Sequence, residues 1–174
     1  MKRFHLIPAL AAALAAAGAG PAAAELVLES VAWQAGRVER PPRPVKFADA
    51  TAVSLPKKGA PRLRAKAVLK NRGPKSVEGI LVRYTVAPRL VPDRAVAAEA
   101  AWALPVLIDE RRVPKIGPNQ VLEVPLTLTP ALENYLKRIA RQGFRANRLK
   151  VSAMIETHAD GAVRVQEAEL EVSP

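Results

Sequence analysis

An all-β, Ig-like β-sandwich of seven or eight strands with one inserted α-helix is the fold that this 174-residue sequence predicts, with a small β-barrel as the alternative. Three observations carry the prediction. Sixteen prolines separate short apolar runs, which suits strands joined by frequent turns. Most of those runs alternate apolar and polar residues, as a strand with one buried face requires. Only one stretch has a clear helical period together with both boundary signals.

The elements follow an address. Lys2 and Arg3 precede a mostly apolar run from Phe4 to Leu14, and an alanine-rich stretch ends at Ala22-Ala23-Ala24. Ala22 and Ala24 supply the small-x-small pattern that a signal peptidase accepts. Residues 1–24 therefore read as a signal peptide. Pro8, Gly18, Gly20 and Pro21 interrupt the run and argue against a retained membrane anchor. Residues 25–174 remain as one domain, long enough to bury a sizeable core.

Glu25–Trp33 is the first expected strand, and the prolines of Arg37–Pro44 make a connecting loop because they lack ladder donors. Phe47–Leu55 reads as one further strand, and Pro56–Pro61 as a turn. In Arg62–Lys70, Leu63, Ala65, Ala67 and Leu69 share one face while Arg62, Arg64, Lys66 and Lys70 share the other. Asn71-Arg72-Gly73-Pro74 turns the chain into Val77–Val86, where Ile80, Val82, Tyr84 and Val86 alternate, so an antiparallel hairpin is expected. Pro88–Ala101 is either a long loop or contains a short helix at Arg94–Ala101 capped by Asp93. Trp102, Leu104 and Val106 resume alternation in a strand reaching toward Val113.

Gln120–Leu128 follows an Ile116-Gly117-Pro118-Asn119 turn, and Pro125 within it signals an edge or a bulge. The helix comes next. Thr129 is positioned to cap it, Pro130 suits its first position, and Leu132, Tyr135, Leu136 and Ile139 recur at helical spacing up to Gly143. Phe144 is expected to pack back on the last turn. Leu149, Val151, Ala153 and Ile155 make another strand, Asp160-Gly161 a tight turn, and Ala162–Val172 the last strand. The last strand changes parity between Val165 and Ala168, which predicts a bulge near Gln166.

The stretch Ala67-Val68-Leu69-Lys70-Asn71-Arg72-Gly73-Pro74, with Val77-Glu78-Gly79-Ile80-Leu81-Val82, resembles the strand, N-x-G turn and V-x-G strand of bacterial Ig-like adhesion and assembly modules of the CARDB type. Ile116-Gly117-Pro118-Asn119-Gln120 resembles the turn that commonly follows in such modules. The resemblance covers about half of the mature chain and rests on turn motifs. It implies an Ig-like fold and a non-catalytic role, and no site residues. The Thr129–Gly143 helix and the long Pro88–Ala101 connection depart from the pattern.

Chemistry is sparsely provided. The chain has no cysteine, which excludes a lipidated cysteine, disulfides, thiolate metal sites and cysteine nucleophiles. His158 is the one histidine of the mature chain, and neither Ser30, Ser54, Ser76, Ser152 nor Ser173 sits in a nucleophile elbow. Met154 and His158 are too far apart along a strand to share a metal. Asp109 and Glu110 are adjacent and would face opposite ways, while Glu167, Glu169 and Glu171 would form a solvated stripe. No phosphate-binding or calcium-binding loop is present. The chain is read as a non-enzyme with no metal and no cofactor.

The positive features are surfaces. The net charge is +11, and loss of Lys2 and Arg3 with the signal, which removes no acid, lowers it to +9. Lys57, Lys58, Arg62, Arg64, Lys66, Lys70, Arg72 and Lys75 form one basic arm, with Arg83 expected on the same face of the neighbouring strand. Lys137, Arg138, Arg141, Arg145, Arg148 and Lys150 form a second basic cluster. Each is either a solvated face or a docking surface. The acidic C-terminal stripe either supports head-to-tail self-association with such a face or neutralises it within one sheet. Trp33, Trp102 and Tyr84 read as core.

The expectation is thus a periplasmic protein, or alternatively a secreted extracellular one. It would be a non-catalytic interaction or assembly module of the bacterial cell envelope that binds an envelope or secreted protein through a sheet edge or the basic hairpin face. The alternative is an electrostatic binder of an anionic polymer or anionic lipid headgroups. Nucleic acid is disfavoured by the address and by the absence of aromatic residues from the basic arm.

Overall fold

The computed structural model describes residues 26–37, 45–56, 60–93, 100–128, 130–155 and 164–173, without the side chains of Arg37 and Arg164. The signal segment, the proline loop beyond Arg37, Lys57 and Lys58, residues 94–99, Thr129, His158 and the Asp160-Gly161 turn lie outside the described residues. In chain order the elements are β1 (Leu26–Arg37), β2 (Lys46–Asp49), β3 (Ala52–Ser54), β4 (Arg62–Asn71), β5 (Val77–Pro92), β6 (Ala101–Trp102), β7 (Leu107–Ile116), β8 (Val121–Thr127), α1 (Ala131–Arg141), β9 (Phe144–Ile155) and β10 (Arg164–Ser173).

The strands form two sheets rather than one closed barrel. The first runs β2-β1-β4-β8; the second runs β3-β10-β9-β5-β6, with β7 also paired to β5. Every pairing is antiparallel except β3 with β10. The alternating residues of β4, β5 and β9 meet between the layers: Leu63, Ala65, Ala67 and Leu69 face Ile80, Val82, Tyr84, Val86, Leu149, Val151, Ala153 and Ile155 in one core. Each large aliphatic side chain fully buried there contributes about 1.5–3 kcal/mol of transfer free energy. The inward faces were legible from period two, and the structure buries all twelve of these residues.

The expected hairpin does not form. β4 belongs to the first sheet and β5 to the second, so the chain arches across the sandwich through Arg72–Ser76. β7 and β8 are divided in the same way, and their connection returns beside the first arch. Buried Asn71 locks the two together. Its side-chain amide donates to the carbonyls of Lys75 at 2.7 Å and Gly117 at 2.8 Å, and its Oδ1 accepts from the Gly73 N–H at 3.0 Å. The backbone adds Asn71 N–H to Gln120 C=O at 2.9 Å. Alternation fixed which face each strand buries, but a Gly-Pro turn allows either a hairpin or an arch. In the arch, the buried Asn71 side chain has partners in both connections.

Phe47–Leu55 is likewise two strands. β2 pairs with β1 and β3 with β10, so the segment changes sheets between Asp49 and Ala52. The Trp102–Val113 strand is interrupted: β6 ends at Trp102, and residues 103–106 are irregular before β7 begins. Trp33 is core, but Trp102 is 40% exposed, because the edge position of β6 leaves one side of its ring uncovered. Pro125 does lie on an edge strand, β8. In that strand Val124 and Leu126 are buried while Leu122 is exposed near its start.

α1 forms where predicted, with Pro130 at the cap rather than at the first helical position and with no side-chain cap bond. Gly143 ends it at φ +79°, a conformation that lacks steric cost only without a Cβ. Phe144 starts β9 and is exposed instead of packing against the helix. No bulge occurs near Gln166: β10 keeps one register with β9 from Arg164 to Glu171, which turns Val165 outward. The register shifts fall elsewhere, at Leu28/Ser30 in β1 and at Arg89/Leu90 in β5, where Asn147 is the extra residue of β9.

Two aromatic tips tie the layers. Trp33 of the first sheet donates its indole N–H to Ala168 C=O of the second at 3.0 Å. Tyr84 of the second sheet places its hydroxyl 2.9 Å from both Asp109 Oδ2 and Thr127 C=O, the latter in the first sheet. Burial, and then the Asp109 carboxylate, push the Tyr84 phenol well above its usual range.

Candidate functional site

The first basic cluster is divided by the fold. Lys57 and Lys58 lie outside the described residues. Arg62, Arg64, Lys66 and Lys70 project from the outer face of β4, Arg72 and Lys75 lie on the arch, and Arg83 is on the outer face of the other sheet. The expectation that Arg83 extends the β4 face is overturned, because it depended on the hairpin that does not form.

Three of the β4 cations, Arg64, Lys66 and Lys70, are also engaged by their neighbours. Lys66 Nζ lies 3.0 Å from Glu123 Oε1 on β8 and 3.6 Å from Asp49 Oδ1 on β2, and its side chain is only 16% exposed. Lys70 Nζ lies 3.7 Å from Glu29 Oε1 on β1. Gln34, buried on β1, donates from Nε2 to Asp49 Oδ1 at 2.6 Å and accepts at Oε1 from Arg64 Nε at 2.7 Å. The Arg64 guanidinium stacks 4.0 Å from the Phe47 ring centroid. The Gln34 hydrogen bond, with help from Lys66, holds Asp49 below the usual carboxylate value, while the Glu123 hydrogen bond raises Lys66. This face is a cross-strand network rather than a bare positive field.

The C-terminal acids pair with cations of the neighbouring strand within the second sheet. Arg148 forks to Glu169 Oε2 and Glu171 Oε1, both at 3.1 Å. Lys150 Nζ reaches Glu167 Oε2 at 3.6 Å, and Ser152 Oγ donates to Glu167 Oε1 at 2.6 Å. The acidic stripe and two members of the second basic cluster, Arg148 and Lys150, thus neutralise each other across one ladder. Lys150 also stands 5.1 Å over the exposed Trp102 ring.

Two surfaces remain. The first is the edge of the second sheet. On the side of β6 and β7 away from β5, no strand pairs among the described residues. Trp102, Leu104 (85% exposed) and Ile108 (76% exposed) stand along it. Sequence reading placed Trp102 and Leu104 in a core-facing alternation; an edge position has no signal of its own in a single strand's pattern. From Asp109 onward the edge is guarded by Asp109, Glu110, Arg111, Arg112 and Pro114, residue types that discourage indiscriminate strand addition.

The second surface is an apolar trough of about 540 Å³ between α1 and Leu55, Pro56, Ala60, Pro61 and Leu63. Lys137 and Arg141 line it, and these two, like Arg138 and Arg145, have no carboxylate partner among the described residues. Arg138 instead lies 5.5 Å from the Tyr135 ring centroid.

Catalytic geometry is sparse in the part described. Among the described residues no group of three or more His, Asp or Glu side chains is arranged to hold a metal ion. Ser30, Ser54, Ser76 and Ser173 are exposed, and Ser152 is committed to Glu167. No described helix is long and apolar enough to cross a membrane. The chain matches no protein-family model and no curated protein.

Proposed function

We propose that this chain is an exported, non-catalytic Ig-like module of the bacterial cell envelope, of the CARDB type, that docks an envelope or secreted protein at the Ala101–Ile108 edge of its second sheet. The observation that carries the proposal is the exposure of Trp102, Leu104 and Ile108 along a strand edge without a partner among the described residues. Trp and Arg are enriched at the energetic centres of protein interfaces, and Arg89 pairs with Trp102 across β5 and β6. A sheet edge additionally offers main-chain hydrogen bonds to an extended segment of a partner. The Ig-like assignment draws support from two packed, mainly antiparallel sheets whose connections cross between layers. The export address rests on residues 1–24.

The test is crosslinking of the tagged protein in its native envelope fraction, with washes at low and then high salt. A defined protein that survives high salt with the wild-type chain, and is lost with a Leu104→Asp/Ile108→Asp variant, supports the reading. Retention of the same protein by that variant refutes the edge as the docking surface. N-terminal sequencing of the recovered chain checks the address, with Glu25 expected as the first residue.

A further inference from the structure

The trough beside α1 is independent of the docking edge and differs from it in chemistry. Leu63 and Leu132 are buried in its floor, Leu55 and Leu136 are half-buried, and Pro56, Ala60 and Pro61 form its other wall. Leu132, Leu136 and Ala140 recur every fourth residue, so the trough follows the helix axis for about 12 Å. Glu133, Lys137 and Arg141 form a parallel row along the rim, with the cations toward the helix C-terminus. Neither Lys137 nor Arg141 has a carboxylate partner among the described residues.

We propose that this trough binds a single-chain anionic amphiphile, an acyl carboxylate of the fatty-acid kind, with its chain along Leu63, Leu132 and Leu136 and its head group at Lys137 and Arg141. The walls select against a peptide. The helix backbone spends its N–H and C=O groups within α1, and Pro56 and Pro61 have no N–H to offer. An extended peptide lying there would find few main-chain donors in these walls. An acyl chain has no polar group along its length and needs charge at one end only. The volume and the apolar lining with a few polar groups also match small-ligand sites in general.

The experiment titrates the purified, isotope-labelled protein with hexanoate, octanoate and decanoate below their micellar concentrations, with decyltrimethylammonium as the cationic control, followed by amide NMR shifts. Saturable binding is expected, with shifts confined to α1 and the Leu55–Leu63 stretch. Affinity should rise roughly fourfold per added CH₂, and the cationic control should bind at least about tenfold more weakly. A Lys137→Gln/Arg141→Gln variant, folded by its own amide spectrum, should lose that preference for the anion. Equal binding of both head groups, shifts scattered over the surface or centred on Trp102, no dependence on chain length, or adsorption only to vesicles of anionic diacyl phospholipid would each overturn the proposal. Should the double variant fail to fold, the chain-length series and the cationic control on the wild-type protein still decide it.

Discussion

Asn71 at the end of one sheet and Gly117 at the end of the other are joined by a 2.8 Å hydrogen bond from the Asn71 side-chain amide to the Gly117 carbonyl. The same amide holds Lys75, so one buried side chain fixes both arches that carry the chain between the layers. Asn71→Ala strands the Gly117 and Lys75 carbonyls and the Gly73 N–H together. We expect a loss of about 2–4 kcal/mol in urea unfolding. A loss under about 1 kcal/mol would mean that water replaces the amide and that the arches hold without it.

Trp33 is the corresponding tie at the opposite side of the sandwich. Trp33→Phe keeps an aromatic ring in the core but leaves the Ala168 carbonyl without its indole donor. The expected cost is about 1–3 kcal/mol, read as a lower denaturation midpoint with an unchanged slope. An unchanged midpoint would show that the tie contributes nothing net.

Alkaline stability should depend on Tyr84. Its phenol is raised above the ordinary value of 10.0 in the folded chain, so the unfolded chain releases its proton first as pH rises. The stability is therefore complete below pH 10 and declines above it. Lys66, raised above 10.5, adds a loss of the same sign in the same region. Tyr84→Phe should flatten the decline above pH 10 while lowering stability at neutral pH by about 1 kcal/mol. Thermal melts of the two proteins between pH 8 and pH 11 measure this, and parallel curves would exclude Tyr84 as a cause.

Asp49 works at the other end of the scale. Its carboxyl is held below 3.8 chiefly by the Gln34 amide and then by Lys66, so its contribution is present above that value and is lost as pH falls through the lower folded value. Asp49→Asn should remove that acid-side component and leave the alkaline side alone. Melts between pH 2 and pH 5 give the comparison. An acid limb unchanged by the substitution would assign acid unfolding to other carboxylates.

The edge residues should be energetically separable from the fold. Leu104 and Ile108 are mostly in solvent, so Leu104→Asp and Ile108→Asp are each expected to change unfolding free energy by less than about 0.5 kcal/mol. Loss of partner capture without loss of stability is the signature of a docking surface. A destabilisation above about 2 kcal/mol from either change would show that the edge belongs to the core.

Much of the core was readable because period two records burial directly. Leu63, Ala65, Ala67 and Leu69 needed nothing beyond their spacing, and the α1 stripe of Leu132, Leu136 and Ile139 needed only the helical period with Gly143 after it. Strand partnership was not readable. A strand that buries one face looks the same in either layer, so Asn71–Pro74 reads as a hairpin turn from the sequence, and Arg83 falls on the wrong face with it. Charge clusters suffered in the same way. The Lys66 partners Glu123 and Asp49 come from β8 and β2, far from it in sequence, and no local pattern announces them. Trp102 reads as core from the sequence because aromatic residues usually are, and only its position on an edge strand exposes it.

The crossing between β2 and β3 has a mechanical meaning. Ala50 donates its N–H to Trp33 C=O in one layer, and the very next residue, Thr51, accepts from Glu171 N–H in the other, both at 2.9 Å. Adjacent residues thus serve opposite layers, leaving no slack between the two attachments. Sliding one sheet over the other would load both bonds together, as a rivet is loaded in shear. A force drawing the layers apart would be shared among this rivet, the Asn71 latch and the Trp33 and Tyr84 tips, at separate places around the core.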